Sequence, residues 1–213
     1  MDQKTTFYIV RHGETEFNVS GIMQGHTDSP LTEKGQEQAK LVGNALKDID
    51  FDLVFSSDLL RAKRTAEIML LEKKLAINTT ELLRERSYGR YDGRSATEYR
   101  EENKEMLAKI VDLEWSERSK IKFSPDAESD HEVVSRFTLF LREAAVTYAG
   151  KKVLIVTHGG TMRSFLVQIG WGTAKELPGG CIQNTGYVKL VSDGIDFEIQ
   201  EVVGVGRSES VST

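Results

Sequence analysis

The sequence predicts an α/β protein, a three-layer α/β/α sandwich around a mainly parallel mixed sheet, with a helical lid insertion. Three observations carry this expectation. Short β-branched apolar runs alternate with amphipathic helical stretches over most of the chain, the pattern of a parallel sheet covered on both faces. Two of those runs stop abruptly on His-Gly, at His12-Gly13 and His158-Gly159. The stretch 84–125 is dense in charge and has only narrow apolar faces, as befits a segment lying over a core.

The elements follow in order. Residues 6–10 form a buried strand. A helix spans about 33–47, with Thr32 as N-cap and Ala39, Val42 and Leu46 on one face. "FDLVFSS" is a second strand, and "DLLRAKRTAEIMLLEKK" a second helix with Leu59, Ala62, Ala66 and Met69 inward. "AINTTELL" suits a third strand. Helical pieces near 96–105 and 106–114 build the lid, which is placed at about 86–128. Ser129 and Glu132 stand at capping-box spacing, ahead of a stripe of Val133, Phe137, Phe140, Leu141 and Ala144, and Gly150 ends that helix. "KKVLIVT" is a strand and "TMRSFLVQIG" a helix. "GYVKLVSD" and "DFEIQEVVGV" make a terminal hairpin turning at Asp193-Gly194. One domain is expected over 1–205, with a disordered polar tail at 206–213.

Composition narrows the function classes. The 213 residues, 39% hydrophobic and 29% charged, describe an ordinary globular chain able to bury a core without staples. A net charge of -5 lacks the broad basic face that nucleic acid or a membrane surface requires. The one cysteine, Cys181, forms no internal disulfide, and no signal-peptide or membrane-spanning run is present. The expectation is a cytoplasmic protein; its oligomeric state is not legible.

Ligands of open parallel sheets bind outside the carboxyl ends of the strands. If the two His-Gly strands are neighbours, His12 and His158 meet there. A metal site would want further ligands, yet there is no HExxH and no cysteine pair, and Arg11 would put a fixed charge beside the ion. No metal and no cofactor is expected; His26 and His131 read as solvated or capping residues. Arginine beside histidine suits phosphate chemistry instead. A guanidinium grips phosphate bidentately and keeps its charge. A neutral imidazole can attack phosphorus. Each cation–phosphate pair at ~4 Å contributes roughly 4 kcal/mol before desolvation, at an effective dielectric of ~20.

Several separated motifs resemble the histidine phosphatase superfamily, the phosphoglycerate mutase-like proteins. "RHGETEFN" is similar to the nucleophile motif, which implies that His12 is phosphorylated, that Arg11 binds the phosphoryl group and that Asn18 supports it. "QGHTDSPLTEKGQEQA" resembles the following segment and puts Gln24 and Gly25 at the substrate site. "FSSDLLRAKRTAEI" implies a second phosphate-binding arginine, Arg61. "LRERSYGRYDG" resembles the acid motif, with Glu85 as proton donor and Tyr88 in the pocket wall. "PDAESDHEVVSRF" matches the segment before the long helix, with Ala127 where glycine is usual. "VTHGGTMR" implies His158 as the second phosphate-site histidine and Gly159 as an amide donor. "QNTG" implies Asn184 and Thr185 as lining residues.

The resemblance implies a small-molecule phosphate ester as substrate and favours a phosphatase. Cofactor-dependent mutases carry a lysine shortly after the glycine matching Gly93, and a paired Arg-Arg in the lid. Here Arg94-Ser95-Ala96 follows Gly93, and the lid has the isolated Arg118. A phosphoglycerate mutase and a non-catalytic phospho-ligand-binding protein are the alternatives. Arg86, Arg90, Arg94 and Tyr99 are candidate readers of the rest of the substrate.

Overall fold

A computed structural model describes residues 4–71, 73 and 75–208. β1 (Thr5–Arg11) is followed by a one-turn helix, α1 (Glu16–Val19), closed by a capping box between Thr15 and Asn18 that the apolar pattern does not signal. α2 (Glu33–Ala45) starts where the Thr32 hydroxyl accepts from the Gly35 N–H. β2 (Leu53–Ser57), α3 (Leu60–Met69) and β3 (Ile77–Thr80) follow. The third strand is shorter than its apolar run. Thr80 caps a 3-10 turn at Glu81–Leu83, and the chain leaves the sheet there.

The charged middle forms three short helices, α4 (Ala96–Glu102), α5 (Lys104–Ile110) and α6 (Trp115–Arg118). The break between α4 and α5 falls at Asn103, whose side-chain amide donates to the Tyr99 carbonyl. α7 (Asp130–Thr147) carries the expected Ser129/Glu132 capping box. β4 (Lys152–Thr157) and α8 (Gly159–Gln168) complete the parallel unit. β5 (Ile182–Ser192) and β6 (Phe197–Val205) form the hairpin. β5 begins earlier than the sequence suggests and takes in "QNTG" as an irregular stretch, with Thr185 at φ 59°.

The six strands run in the order β3-β2-β4-β1-β5-β6. β1 to β4 are mutually parallel, whereas β5 lies antiparallel to β1 and β6 antiparallel to β5. Alternation along β1 sorts the two cores. Phe7 and Ile9 pack with Phe137, Leu141 and Phe165 of α7 and α8. Tyr8 and Val10 face Val42 of α2, with Leu46 and Val54 beside them. These are the three layers. The tail expected from 206 begins with ordered residues: Gly206 donates to the Cys181 carbonyl, and the Arg207 guanidinium stacks 4.0 Å above the Trp171 ring. Residues 209–213 lie outside the described residues. No described helix is long and apolar enough to cross a membrane.

Candidate active site

Register brings the two histidines together. β1 and β4 are parallel neighbours with Val10 opposite Val156 and Arg11 opposite Thr157. The next residue on each strand is histidine, and the His12 N–H donates to the Thr157 carbonyl at 3.0 Å. The ring centroids lie 5.2 Å apart at 60°. His12 is 2% exposed and His158 0%.

The ring nitrogens of His12 are distinguished by one contact. Nδ1 lies 2.7 Å from the Gly13 carbonyl, which can only accept, so Nδ1 carries the proton and Nε2 keeps its lone pair. Burial, then Arg61 and Arg11, hold the His12 pKa well below 6.5. Burial, then Arg61, does the same for His158. Both rings are therefore neutral at pH 7, and in His12 the contact with Gly13 assigns the free lone pair to Nε2.

Arg61, in the first turn of α3, is 1% exposed. Its Nη1 donates to the Thr27 carbonyl and to Asp28 Oδ1, and its Nη2 to the Gly25 carbonyl. Asp28 also accepts from the N–H groups of Leu60 and Arg61, so one carboxylate both caps α3 and aims the guanidinium. Arg11 donates through Nη1 to the Ile182 carbonyl. Among the described residues, the buried Nε atoms of Arg11 and Arg61 and both ring nitrogens of His158 have no partner within the chain. Buried polar groups rarely stay unpaired. Two donors and an imidazole around a nucleophilic nitrogen suit a tetrahedral oxyanion.

Glu85 reaches the start of α8. Its Oε2 accepts from the Gly160 N–H, and its Oε1 from the N–H groups of Thr161 and Arg86. The glycine pair is needed for this approach. A Cβ on Gly160 would stand 2.5 Å from Glu85 Oε1, and one on Gly159 3.1 Å from Arg11 Nε. From behind, the Glu85 carbonyl accepts from His26 Nε2 and from Arg136 Nη2, each at 2.9 Å. The sequence reading leaves His26 a solvated or capping residue; it is half-buried against this loop.

The remaining expected site residues divide. Tyr88 and Gly159 line a cavity of about 490 Å³ with Arg11 and Glu85. Asn18, Asn184 and Thr185 instead surround the His12 backbone. Asn184 Nδ2 donates to the His12 carbonyl and to Asn18 Oδ1, and the Thr185 N–H points to the same carbonyl. Gln24 is buried, accepting from the Ser29 hydroxyl away from the cavity, and Gly25 contributes through its carbonyl on Arg61. The glycine after His12 serves packing: a Cβ there would meet the Gly35 carbonyl at 2.4 Å. Sequence reasoning misses Asp28 and Thr65. The Thr65 hydroxyl joins the Gly13 N–H to the Arg61 carbonyl, and the only local signal is a threonine one helical turn after Arg61.

The cavity wall is more basic than the lid sequence suggests. Arg118 is joined by Arg86 and Arg100 from elsewhere in the lid region and by Arg163 from α8. Of the other proposed readers, Tyr99 lines the wall, but Arg90 and Arg94 turn away to Tyr91 and Glu102. Among the described residues no three His, Cys, Asp or Glu side chains cluster as a metal site requires.

The model of the histidine phosphatase superfamily (branch 1) matches residues 7–203. The chain belongs to this superfamily. Its relatives there include an uncharacterized phosphatase, PhoE, of Bacillus subtilis, 32% identical over 91% of this chain and 89% of that protein. A 2,3-bisphosphoglycerate-dependent phosphoglycerate mutase of Methylocella silvestris is 30% identical over 80% and 84%. Among solved structures, phosphoglycerate mutase from Bacillus anthracis superposes with a TM-score of 0.82 at 27% identity, covering 96% of this chain and 94% of that one. Membership in the histidine phosphatase superfamily marks an enzyme acting on phosphate esters, and both phosphatases and mutases stand among these relatives.

Proposed function

We propose that the protein is a metal-independent phosphomonoesterase of the phosphatase branch, working through a covalent phosphohistidine on His12. Its substrate is a small phosphorylated metabolite of the sugar phosphate or bisphosphate, phosphoglycerate or phosphoserine type. One observation carries the reading: two neutral imidazoles 5.2 Å apart, flanked by the unpartnered Nε donors of Arg11 and Arg61.

In the first step Nε2 of His12 attacks phosphorus. The P–O bond to the alcohol breaks, and Glu85 gives the departing oxygen its proton. Arg11, Arg61, His158 and the Gly159 amide hold the three equatorial oxygens as charge spreads over them. In the second step water attacks the phosphohistidine, Glu85 takes its proton, and phosphate leaves with His12 restored. The imidazoles do not reach the cavity wall, so a wall side chain moves for the ester to enter. Arg11 suits this, because among the described residues its guanidinium has one hydrogen bond, to the Ile182 carbonyl.

Among the described residues, five arginines, Arg11, Arg86, Arg100, Arg118 and Arg163, line the cavity, against two carboxylates, Glu85 and Asp130. This balance supports an anionic substrate. The wall of Tyr88, Tyr99 and Phe123 offers a surface for its carbon skeleton.

A screen of small phosphate esters for released phosphate, with His12→Ala as control and EDTA present, tests the proposal. Turnover lost only in the variant supports it. Turnover abolished by EDTA, or surviving His12→Ala, contradicts it. The mutase reading draws on the Methylocella relative. It predicts interconversion of 2- and 3-phosphoglycerate with a bisphosphate primer, in place of net phosphate release.

A further inference from the structure

Glu85 sits on an irregular loop, between the 3-10 turn at Glu81–Leu83 and a second one at Gly89–Tyr91. No ladder fixes the backbone there. A proton donor must nevertheless be held to within a few tenths of an ångström of the departing oxygen.

A single side chain from the opposite side takes up this loop's carbonyls. Arg136, on the second turn of α7, donates through Nη1 to the carbonyls of Leu82 at 3.0 Å and Arg84 at 2.7 Å, and through Nη2 to that of Glu85 at 2.9 Å. Its Nε and Nη2 also grip both oxygens of Glu128, at 2.9 and 3.0 Å. Glu128 Oε2 in turn accepts from the Ser87 N–H at 2.9 Å. His26 Nε2 puts a second donor on the Glu85 carbonyl at 2.9 Å, and its proton is fixed there because a carbonyl only accepts. The loop from Leu82 to Ser87 is thus strapped at four polar backbone groups from one side. On the other side the start of α8 holds the Glu85 carboxylate.

A planar guanidinium with five N–H donors can satisfy three carbonyls and a carboxylate at once, which an ammonium cannot. α7 is an 18-residue helix packed on the core through Val133, Phe137 and Leu141, so the anchor is rigid. We infer that Arg136, assisted by Glu128 and His26, is a positioning residue for the proton donor. It fixes the backbone of Glu85, so that the carboxyl stays on the α8 amides in line with the ester oxygen. The inference rests on the phosphomonoesterase reading and on Glu85 as its acid.

Leaving-group dependence separates positioning from general structural support. p-Nitrophenolate departs readily without a proton, whereas an alkoxide needs one. The quantity kcat/KM reports the steps up to phosphoryl transfer to His12, so slow hydrolysis of the intermediate does not mask the difference. In Arg136→Gln, kcat/KM for ethyl phosphate is expected to fall roughly 10- to 100-fold further than for p-nitrophenyl phosphate, part of the 10²–10⁴ that an acid contributes. Glu85→Gln gives the upper limit of that selective loss, and adding Arg136→Gln to it produces no further selective loss. Arg136→Gln strips three carbonyls and can cost folding, so His26→Ala provides a second reading. It removes only the half-buried donor on the Glu85 carbonyl and is expected to show the same selectivity, a few-fold in size.

An equal loss on both esters in the folded Arg136→Gln or His26→Ala protein overturns the inference, as does a selective loss that persists in the Glu85→Gln background. If the wild-type protein turns over neither these esters nor any ester of the metabolite screen, the phosphomonoesterase reading itself fails and takes this inference with it. Where only a screened alkyl phosphate is turned over, that ester replaces ethyl phosphate, and an analogue of it with an acidified leaving group replaces p-nitrophenyl phosphate.

Discussion

Acid should unfold this protein earlier than its carboxylates alone would dictate, and the reason lies in the paired imidazoles. His12 and His158 are held well below the usual 6.5 by burial first and then by Arg61. In the unfolded chain both return to about 6.5. Between the depressed folded values and 6.5, the unfolded state therefore binds two more protons than the folded state. Stability rises with pH wherever the unfolded state binds more protons, so it must fall as pH drops below 6.5. Each group contributes about 1.4 kcal/mol per pH unit once the unfolded histidine is protonated, and the pair about 2.7 kcal/mol. Carboxylates with lowered values, such as Asp58 and Glu128, add most of their slope nearer pH 4, where their unfolded counterparts titrate. From pH 6 to 5 the histidines supply most of the change, and comparison with a one-histidine variant cancels the carboxylate part that both proteins share.

Urea unfolding followed by circular dichroism at half-unit pH steps reads this directly. Wild-type stability should fall as pH drops from 6 to 5, the pair contributing at most about 2.7 kcal/mol per unit. In His158→Asn the slope should be smaller, by up to about 1.4 kcal/mol per unit, since one buried imidazole remains. His158 suits the substitution because neither ring nitrogen has a partner in the chain to be orphaned. A wild-type profile flat between pH 6 and 5, or a slope unchanged by His158→Asn, would refute the reasoning.

Two further outcomes follow from the same contacts. Gly160→Ala places a methyl 2.5 Å from Glu85 Oε1, so the acid must move while the core is untouched; kcat/KM for an alkyl phosphate should drop roughly 10²-fold or more, with thermal unfolding shifted by no more than a few degrees. Asp28→Ala removes both the cap of α3 and the carboxylate aiming Arg61. It should cost about 1–2 kcal/mol in urea unfolding and raise KM for a phosphate ester several-fold, against no change in KM if Arg61 does not touch the phosphoryl group.

The layers and the meeting of the histidines were legible because apolar runs of period two and 3.6 are properties of the chain itself. The histidines that end these two runs can meet only if the strands are parallel neighbours, and the register of β1 on β4 makes them level. Arg61 and Glu85 were legible only by resemblance. Read alone, "LLRAKR" is a helix start and "RERSYGR" a charged loop, and neither shows which charge will be buried. The contacts of Arg136 and His26 were not legible at all. Apart from Glu128, their partners are backbone carbonyls, which every residue has and no sequence pattern marks. Arg163 had a signal that went unread: one charge within the otherwise apolar face of "TMRSFLVQ", 9% exposed in the fold. The lid helices are shorter than the sequence predicts because polar residues such as Asn103 close them through side-chain contacts that propensity does not display.

The most direct test of the account is to catch the intermediate. Protein mixed with p-nitrophenyl phosphate and denatured at once in base, which preserves phosphohistidine, is digested and sequenced by mass spectrometry. The account predicts one phosphoryl group on the peptide carrying His12, and none in His12→Ala. A phosphoryl group on His158 or on a carboxylate, or turnover with no adduct on any residue, would contradict it.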